Sequence, residues 1–433
     1  MANKRIYLCL AHMSDEGIEQ KYIKEAFDTN WVVPLGPNVN GFEKDLEDFV
    51  NQNDNENEKL SKRVVALSAG TAAVHLSLLA CGVGPDDEVC VQSFTFCASS
   101  HPITYLGATP IFIDSERETW NMDPELLEGA IKDRIAKTGK KPKAIVPVAL
   151  YGMPYKMDRI MEIANKYEIP VVEDAAEGFG SRFNGQVLGT FGKYGVLSFN
   201  GNKMITTSGG GALITENEDE WREIMMYATQ YRESYPYYQH EKIGYNYRMS
   251  NICAGIGRGQ MTVVNDHIAH HKHVQKLYEE LLKDVKGVTV HSQPSDISPQ
   301  TSLPVYDSNY WLCTITIDPE LKIKGQENAY KTIVQGAVGG AAGVIHVADS
   351  ATTDCQPNDN VEALRVFMDA AGIEARPVWK PMHKQPVYKN ASAYVNGVSE
   401  AVFKVGMCLP AGPYVTDEDV KYIVETIKSA ILV

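Results

Sequence analysis

The amino-acid sequence predicts an α/β protein whose main sheet is covered by helices on both faces. Residues 143–152 and 169–177 are short, apolar and rich in β-branched side chains, without the polar alternation of half-exposed strands. Residues 157–167 between them have a helical period, so the three segments form a predicted βαβ unit. The chain has 433 residues, 44% of them hydrophobic, and is long enough for two domains.

The order of these elements predicts how the chain is divided. We expect residues 1–266 to hold an amphipathic N-terminal segment, residues 15–50, and a large α/β domain. We expect a smaller α+β domain over residues 267–433. It begins with a helical stretch, roughly residues 267–285, and ends in a helix near residues 417–431. A helix can pass from one domain into the other, so the boundary near Asp266 is predicted to within several residues.

One lysine, Lys203, stands between the hydroxyl-bearing end of a strand at Ser198 and a glycine run at residues 209–211. A lysine amine that loses its proton attacks carbonyl compounds, and pyridoxal phosphate supplies a carbonyl. Lys203 is therefore a candidate covalent anchor for this cofactor. A solvated surface lysine beside a Gly-rich turn would give the same local pattern.

An aspartate, Asp174, follows the second strand of the βαβ unit. Ligands of such sheets bind beyond the carboxyl ends of the strands, where Asp174 is expected. Its carboxylate could pair with the pyridine nitrogen of the cofactor and keep that nitrogen protonated. The alternative is an N-capping or turn aspartate, which is common at strand ends.

A buried strand at residues 64–67 runs through a small-residue turn into an amphipathic helix. The free amides of a first helical turn can hold a phosphate dianion, Gly70 lets the backbone approach closely, and Thr71 adds a hydroxyl. An ordinary turn with a threonine cap remains the alternative. We interpret His75 in this helix as a surface or core residue and predict no metal site, because no ligand partners stand at metal spacing around it.

Five ordered motifs together resemble a known family. Residues 69–73, 93–96, 173–177, 198–203 and 244–250 resemble the nucleotide-sugar aminotransferases of the DegT/StrS group, which are fold-type I pyridoxal phosphate enzymes with a large mixed-sheet domain and a smaller α+β domain. The likeness runs from Tyr7 to the C-terminus. Residues 30–37 and 373–383 look most like the bacillosamine and exopolysaccharide branch, which aminates C4 of UDP-4-keto-6-deoxy-N-acetylglucosamine-type sugars.

The resemblance implies roles for individual residues. Lys203 would form the internal aldimine and then act as general acid and base, with L-glutamate as amino donor to the UDP-ketosugar. Asn246 would reach the phosphate of the neighbouring subunit's cofactor, which implies a homodimer with shared active sites. The remaining implied roles are Asp174 at the ring nitrogen, Phe96 stacked on the ring, Gly70, Thr71, Ala72 and Ser198 around the phosphate, Glu177 in the cofactor site, and Trp31, Arg376 and His383 at the substrate.

Several of these residues have structural alternatives, and the sequence also departs from the family pattern. Phe96 could be a core residue, Ser198 a strand-end hydroxyl and Asn246 a turn residue. Glu177 and Ser208 stand where many relatives carry other residues, so substrate contacts near them cannot be transferred from the broader group. An insertion near residues 324–360 has no counterpart in the family; residues 344–347 in it could form a short strand.

The same residues argue against three rival functions. A related sugar dehydratase carries His at the position of Lys203, and a cysteine desulfurase needs a nucleophilic cysteine on a mobile loop, for which no cysteine here has a supporting pattern. A non-enzymatic regulator or glycan-binding protein would be expected to lose Lys203, Asp174 or Ser198, and all three are present. Amination at C3 of another nucleotide ketosugar remains an alternative to the C4 reaction.

Charge and composition limit which classes of partner the protein can bind. A net charge of −14 and a sequence pI of 5.3 argue against nucleic-acid or anionic-membrane binding, and an anionic nucleotide diphosphate needs local Lys and Arg. No apolar run is long enough to span a membrane, and the N-terminus lacks a secretory pattern. The eight cysteines show no Cys-x-x-Cys spacing, which favours reduced thiols in the cytoplasm.

Overall fold

A computed structural model describes residues 5–54, 59–299, 301–330 and 355–432. The two N-terminal helices, at residues 18–28 and 37–50, pack against the helix at residues 251–261. The helix predicted at residues 157–167 is confirmed with the same bounds. The α-helices are α1 (Ile18–Asp28), α2 (Pro37–Val50), α3 (Gly70–Ala80), α4 (His101–Tyr105), α5 (Pro124–Thr138), α6 (Met157–Tyr167), α7 (Glu218–Ala228), α8 (Asn251–Met261), α9 (Val264–Leu282), α10 (Asp359–Ala370), α11 (Val398–Val405) and α12 (Asp417–Ala430).

Most strands belong to one large sheet or to a smaller antiparallel one. The strands are β1 (Arg63–Leu67), β2 (Glu88–Gln92), β3 (Thr109–Ile113), β4 (Ala144–Val146), β5 (Val172–Asp174), β6 (Arg182–Phe183), β7 (Gln186–Val187), β8 (Tyr194–Ser198), β9 (Gly211–Thr215), β10 (Val288–Val290), β11 (Tyr306–Asp307), β12 (Cys313–Ile317), β13 (Arg376–Pro377), β14 (Ala393–Tyr394) and β15 (Gly406–Leu409). The β6, β7 and β11 segments form a third, minor sheet.

The large sheet has the order β14-β3-β2-β4-β5-β8-β9-β1. Its two halves meet through parallel bridges from Ile145 to Val171 and from Val148 to Asp174. Only β9 runs antiparallel to its neighbours within this sheet. The sheet is therefore mixed, as the resemblance implied.

Both faces of this sheet are buried, which explains why its strands lack polar alternation. Val64 and Ala66 of β1 belong to one apolar cluster, whereas Val65 and Leu67 belong to another on the opposite face. Successive side chains of a strand point to opposite faces, so each face needs apolar residues when helices cover both. The predicted βαβ unit of β4, α6 and β5 is confirmed.

The C-terminal part of the chain has its own antiparallel sheet, in the order β10-β12-β15-β13. A separate apolar cluster, with buried members from Val274 to Ala430, packs around this sheet. Strand β14 nevertheless pairs with β3 of the large sheet, where the amide of Phe112 donates to the carbonyl of Ser392. Helix α9 runs through the proposed boundary near Asp266, and the division of the chain there stays a prediction.

Two further sequence predictions concern the periphery of the fold. The short strand expected at residues 344–347 lies outside the described residues. In the ranges that the structure describes, none of the helices combines the length and apolar character needed to cross a bilayer.

Candidate active site

Three parallel strands, β1, β5 and β8, end at the same edge of the large sheet, and helix α3 begins there. A cavity of about 340 Å³ opens at this edge. Its size falls within the range of small-ligand sites. The sequence-predicted residues that line it are Gly70, Thr71, Phe96, Asp174, Glu177, Ser198 and Lys203.

Lys203 lies on the loop that joins β8 to β9. Two main-chain hydrogen bonds close the loop. The amide of Phe199 donates to the carbonyl of Gly210, and the amide of Thr207 donates to the carbonyl of Phe199. The Lys203 side chain is 13% exposed, and its Nζ lies 3.4 Å from Oε1 of Glu177. The amine is therefore held inside the cavity and not in bulk solvent.

Asp174 is buried at the carboxyl end of β5. Its Oδ2 accepts a hydrogen bond of 2.6 Å from the Ser99 hydroxyl, and its Oδ1 accepts one of 3.1 Å from the Ala176 amide. Burial raises the pKa of Asp174, whereas these hydrogen bonds and the charge of Lys203 oppose the rise. Thr95 in turn hydrogen-bonds Ser99, so the carboxylate is held at a fixed position.

Glu177 is the other buried carboxylate of the cavity. Its Oε2 accepts a hydrogen bond of 2.7 Å from the Tyr151 amide, while Oε1 faces Lys203. Burial raises the pKa of Glu177, and the positive charge of Lys203 opposes that rise. The carboxylate can therefore accept a proton or pair with the ammonium form of the lysine.

The N-terminus of α3 forms the anion-binding end of the cavity. Among the residues that the structure describes, no side chain caps this helix, so its first-turn amides are free to bind a ligand. A Cβ atom on Gly70 would lie 3.0 Å from Cβ of Ser198, and one on Gly211 would lie 2.3 Å from the Gly70 nitrogen. Gly211 is therefore required for the close packing of β8, β9 and α3, and a side chain at Gly70 would be tightly placed against Ser198.

Aromatic rings flank the cavity from Lys203 to Phe96. Tyr151 stacks on Trp311 and on Trp379, with ring centroids 6.4 and 6.1 Å apart. Trp379 lies 5.3 Å from Phe96, again between ring centroids. Phe96 itself is 50% exposed, so it is not the core residue that the structural alternative proposed.

The other predicted site residues do not line this cavity. Ala72 is buried in the first turn of α3, Asn246 is exposed, and Trp31 is 39% exposed on the loop between α1 and α2. The Arg376 guanidinium pairs with Glu374 at 2.7 Å. Nδ1 of His383 lies 2.7 Å from the Ser93 hydroxyl, and burial lowers the pKa of His383.

Sequence reasoning missed Thr95, Ser99, Tyr151 and Trp311. Ser99 stands three residues after Phe96, at the end of the short 3₁₀ helix Cys97–Ser99. Its closeness to Phe96 along the chain was a weak sign that Ser99 would lie near the site. Trp311 had none, because it is far from Lys203 along the chain. Within the described ranges, no group of His, Cys, Asp and Glu side chains is arranged to hold a metal ion.

The chain is similar to known proteins over most of its length. The sequence profile of the DegT/DnrJ/EryC1/StrS aminotransferase family matches residues 14–332 and 331–428. EpsN of Bacillus subtilis (strain 168) is 39% identical over 98% of this chain and 95% of its own length. UDP-2-acetamido-2-deoxy-3-oxo-D-glucuronate aminotransferase of Pseudomonas aeruginosa (strain PAO1) is 32% identical over 78% of this chain and 89% of its own length.

Solved structures give the same result. A DegT DnrJ EryC1 StrS aminotransferase from Brucella abortus has a TM-score of 0.78 at 26% identity, covering 96% of this chain and 95% of that one. The family match, the relatives and the fold confirm the resemblance that the ordered motifs predicted. The chain therefore belongs to the DegT/DnrJ/EryC1/StrS family and is a fold-type I aminotransferase that uses pyridoxal phosphate.

Proposed function

We propose that the protein transfers the amino group of L-glutamate to the C4 ketone of a UDP-4-keto-6-deoxy-N-acetylhexosamine, in the biosynthesis of a surface polysaccharide or glycan. The observation that carries this proposal is the meeting of Lys203, Asp174 and the N-terminus of α3 in one cavity. The residues 30–37 and 373–383, which look most like the C4-aminating branch, support the choice of sugar.

The residues of the cavity fit pyridoxal phosphate. The uncapped amides at Gly70, Thr71 and Ala72, with the Ser198 hydroxyl beside them, would hold the phosphate. The exposed face of Phe96 would lie against the ring. When bound, the cofactor supplies a carbonyl for the amine and a ring that withdraws electrons from the reacting carbon.

Asp174 would hold a proton on the ring nitrogen. A buried carboxylate favours a positive partner, because an isolated buried charge is costly. Ser99 and the Ala176 amide leave the carboxylate oriented toward the cavity rather than free to rotate. The residue therefore acts on the cofactor by position and charge.

Lys203 would move the proton in both halves of the exchange. In the first, its amine would take the proton from the α-carbon of glutamate; the amino group would stay in the site with the bound cofactor, and water would supply the keto oxygen of the departing 2-oxoglutarate. In the second, the lysine would return a proton to the former ketone carbon of the sugar, which receives the amino group while its oxygen leaves as water. Glu177, at 3.4 Å, balances the charge of the lysine whenever the lysine is protonated.

A homodimer and a cytoplasmic location are part of this proposal. The exposed Asn246 is available to a second subunit, whose cofactor phosphate it would reach. All eight cysteines are free thiols, which supports a reducing compartment. Amination at C3 is the second candidate, favoured by the likeness to a relative that is named for a 3-oxo sugar.

An assay with defined substrates tests the proposal. Purified holoenzyme is incubated with L-glutamate and a panel of 4-keto and 3-keto sugars, each as the UDP and the GDP derivative. Mass spectrometry detects the amine, and NMR gives the position and configuration of the new C–N bond. A UDP-4-amino sugar is the expected product; a 3-amino product, or no amine from any member of the panel, contradicts the proposal. The Lys203→Ala protein is the inactive control.

A further inference from the structure

Tyr151 has a left-handed backbone conformation in the turn that follows β4. Its φ is 53° and its ψ is 20°, and Gly152 after it has a φ of 91°. Such a conformation is uncommon for a bulky aromatic residue and persists only where the surrounding structure fixes it. On one side of the turn, the Leu150 amide donates to Oδ1 of Asn121 at 3.0 Å. On the other, the carbonyl of Gly152 accepts a hydrogen bond of 2.6 Å from the Ser181 hydroxyl.

The ring of Tyr151 lies between two tryptophans. It stacks on Trp311 and on Trp379 at interplanar angles of 20° and 22°. Its hydroxyl accepts a hydrogen bond of 2.7 Å from the Trp379 amide. Burial raises the pKa of this hydroxyl well above its ordinary value and raises the pKa of the neighbouring Cys408 thiol to about 12, so both groups are uncharged near neutral pH. The side chain therefore contributes packing, and no charge, to this wall.

Glu177 is held by the same turn through its side chain and its main chain. The Tyr151 amide donates to Oε2 of Glu177 at 2.7 Å. Nδ2 of Asn309 donates to the main-chain carbonyl of Glu177 at 2.9 Å. A Cβ atom on Gly152 would lie 1.8 Å from Oδ1 of Asn309, so the absence of a side chain at Gly152 lets Asn309 approach.

We propose that Tyr151 is a positioning residue that holds the Glu177 carboxylate beside the nitrogen of Lys203. Its amide fixes Oε2 of this carboxylate, and Oε1 of the same carboxylate lies 3.4 Å from Nζ of Lys203. The stacked ring keeps the turn, and with it the amide, in place. An opposite charge at this distance favours the protonated form of the lysine nitrogen. This inference rests on the proposed role of Lys203 and does not depend on which sugar is aminated.

The visible absorbance of the holoenzyme, followed against pH, tests this assignment without any sugar. The absorbance of the bound cofactor changes when the nitrogen of Lys203 gains or loses a proton. Other titratable groups that interact electrostatically with Lys203 include Asp174 and Cys9. Burial raises the pKa of Cys9 to about 12, so this thiol stays neutral, and Asp174 is the same in every variant.

Two kinds of substitution separate the ring from the charge. Glu177→Gln should lower the midpoint pH by about one unit, because the protonated nitrogen loses its counter-charge. Tyr151→Leu and Tyr151→Met, which remove the ring but keep an apolar side chain, should each lower it by at least about half a unit. Tyr151→Phe, which keeps the ring, should stay closer to the wild type. In Glu177→Gln protein, the further change Tyr151→Leu should cause no additional fall, because the group through which Tyr151 acts is already neutral.

The matched control is Tyr278→Leu, which removes a buried ring from the apolar cluster of the C-terminal sheet. It should lower the unfolding temperature, because packing is lost, and leave the midpoint of the absorbance titration at the wild-type value. The inference is overturned if Tyr151→Leu or Tyr151→Met titrates as the wild type does, or if Tyr278→Leu shifts the midpoint equally. A full additional fall in the double variant would also overturn it, since Tyr151 would then not act through Glu177.

The outcomes distinguish this inference from the proposed function. A holoenzyme that aminates none of the sugar panel but shows the expected midpoints keeps the role of Tyr151 and loses the proposed reaction. Borohydride labelling at Lys203, combined with wild-type midpoints in the Tyr151 variants, keeps the role of Lys203 and loses that of Tyr151. A label on another lysine removes the assignment of Lys203 on which both depend.

Discussion

The Nζ atom of Lys203 lies 3.9 Å from the ring centroid of Trp311. The indole of Trp311 is buried, its Nε1 donates to the carbonyl of Asn202, and its amide donates to Oδ1 of Asn309. A cation above a fixed aromatic face is held by the negative charge of that face. The position of the lysine amine is thus set by a residue from a distant part of the chain.

Replacing Lys203 with Ala should remove the covalent bond to the cofactor and abolish turnover while the fold remains intact. The wild-type protein should be isolated yellow, because an imine with pyridoxal phosphate is a conjugated chromophore. Borohydride reduction followed by peptide mapping should recover the label on the peptide that contains Lys203. Lys193→Ala, which removes a lysine outside the cavity, should keep both colour and label. A label on any other lysine would contradict the assignment.

Replacing Asp174 with Asn keeps the shape of the side chain but removes its charge. Loss of one charged hydrogen bond of roughly 2 to 3 kcal/mol should lower kcat by about two powers of ten. Cofactor occupancy, measured by absorbance, should fall much less, because the phosphate contacts remain. Asp158→Asn, an exposed control, should behave as the wild type. Near-normal turnover of Asp174→Asn would show that Asp174 is a structural turn residue and does not act on the cofactor.

Mixtures of two inactive variants should recover activity if Asn246 completes the site of a second subunit. After exchange of subunits between Lys203→Ala and Asn246→Ala proteins, each mixed dimer holds one site with both defects and one site with none. Activity should rise to at most about a quarter of wild type if exchange is random, because half of the dimers are mixed. A mixture that stays inactive despite demonstrated exchange, or a native mass of one chain, would show that one subunit builds the whole site.

His271 should make the protein sensitive to acid. Burial lowers its pKa in the folded chain from 6.5 to about 3, whereas the unfolded chain takes up the proton near the ordinary value. The unfolded state therefore binds more protons in this window, so the free energy of unfolding falls as the pH falls from about 6.5 toward 3. Below the folded-state pKa both states are protonated and this dependence ends.

Replacing His271 with Asn removes this titration and keeps a donor for the carbonyl of Tyr310, which Nδ1 now contacts at 3.1 Å. Urea unfolding at several pH values should show a pH dependence that is shallower by up to ~1.4 kcal/mol per pH unit between about pH 6 and 4. Parallel curves for the two proteins would show that His271 does not control acid stability.

The sequence alone predicted the βαβ unit and the family. Asp174 and Ser198 end apolar strands, and Gly70 begins a helix after another strand, so local patterns were enough to predict their positions. Parallel strands bring their carboxyl ends to one edge of a sheet, which is why residues far apart in the chain could be predicted to meet. The order of the motifs then predicted the aminotransferase family that the comparisons confirm.

Tertiary structure alone decided which side chains surround these residues. Trp311 beneath Lys203 and Ser99 at Asp174 have no fixed spacing from their partners in the sequence. Such contacts depend on how loops and the C-terminal sheet pack onto the large sheet, and no local period encodes that packing. Strand ends and a helix start follow from nearest neighbours in the chain, whereas the walls of a cavity follow from segments that only folding brings together.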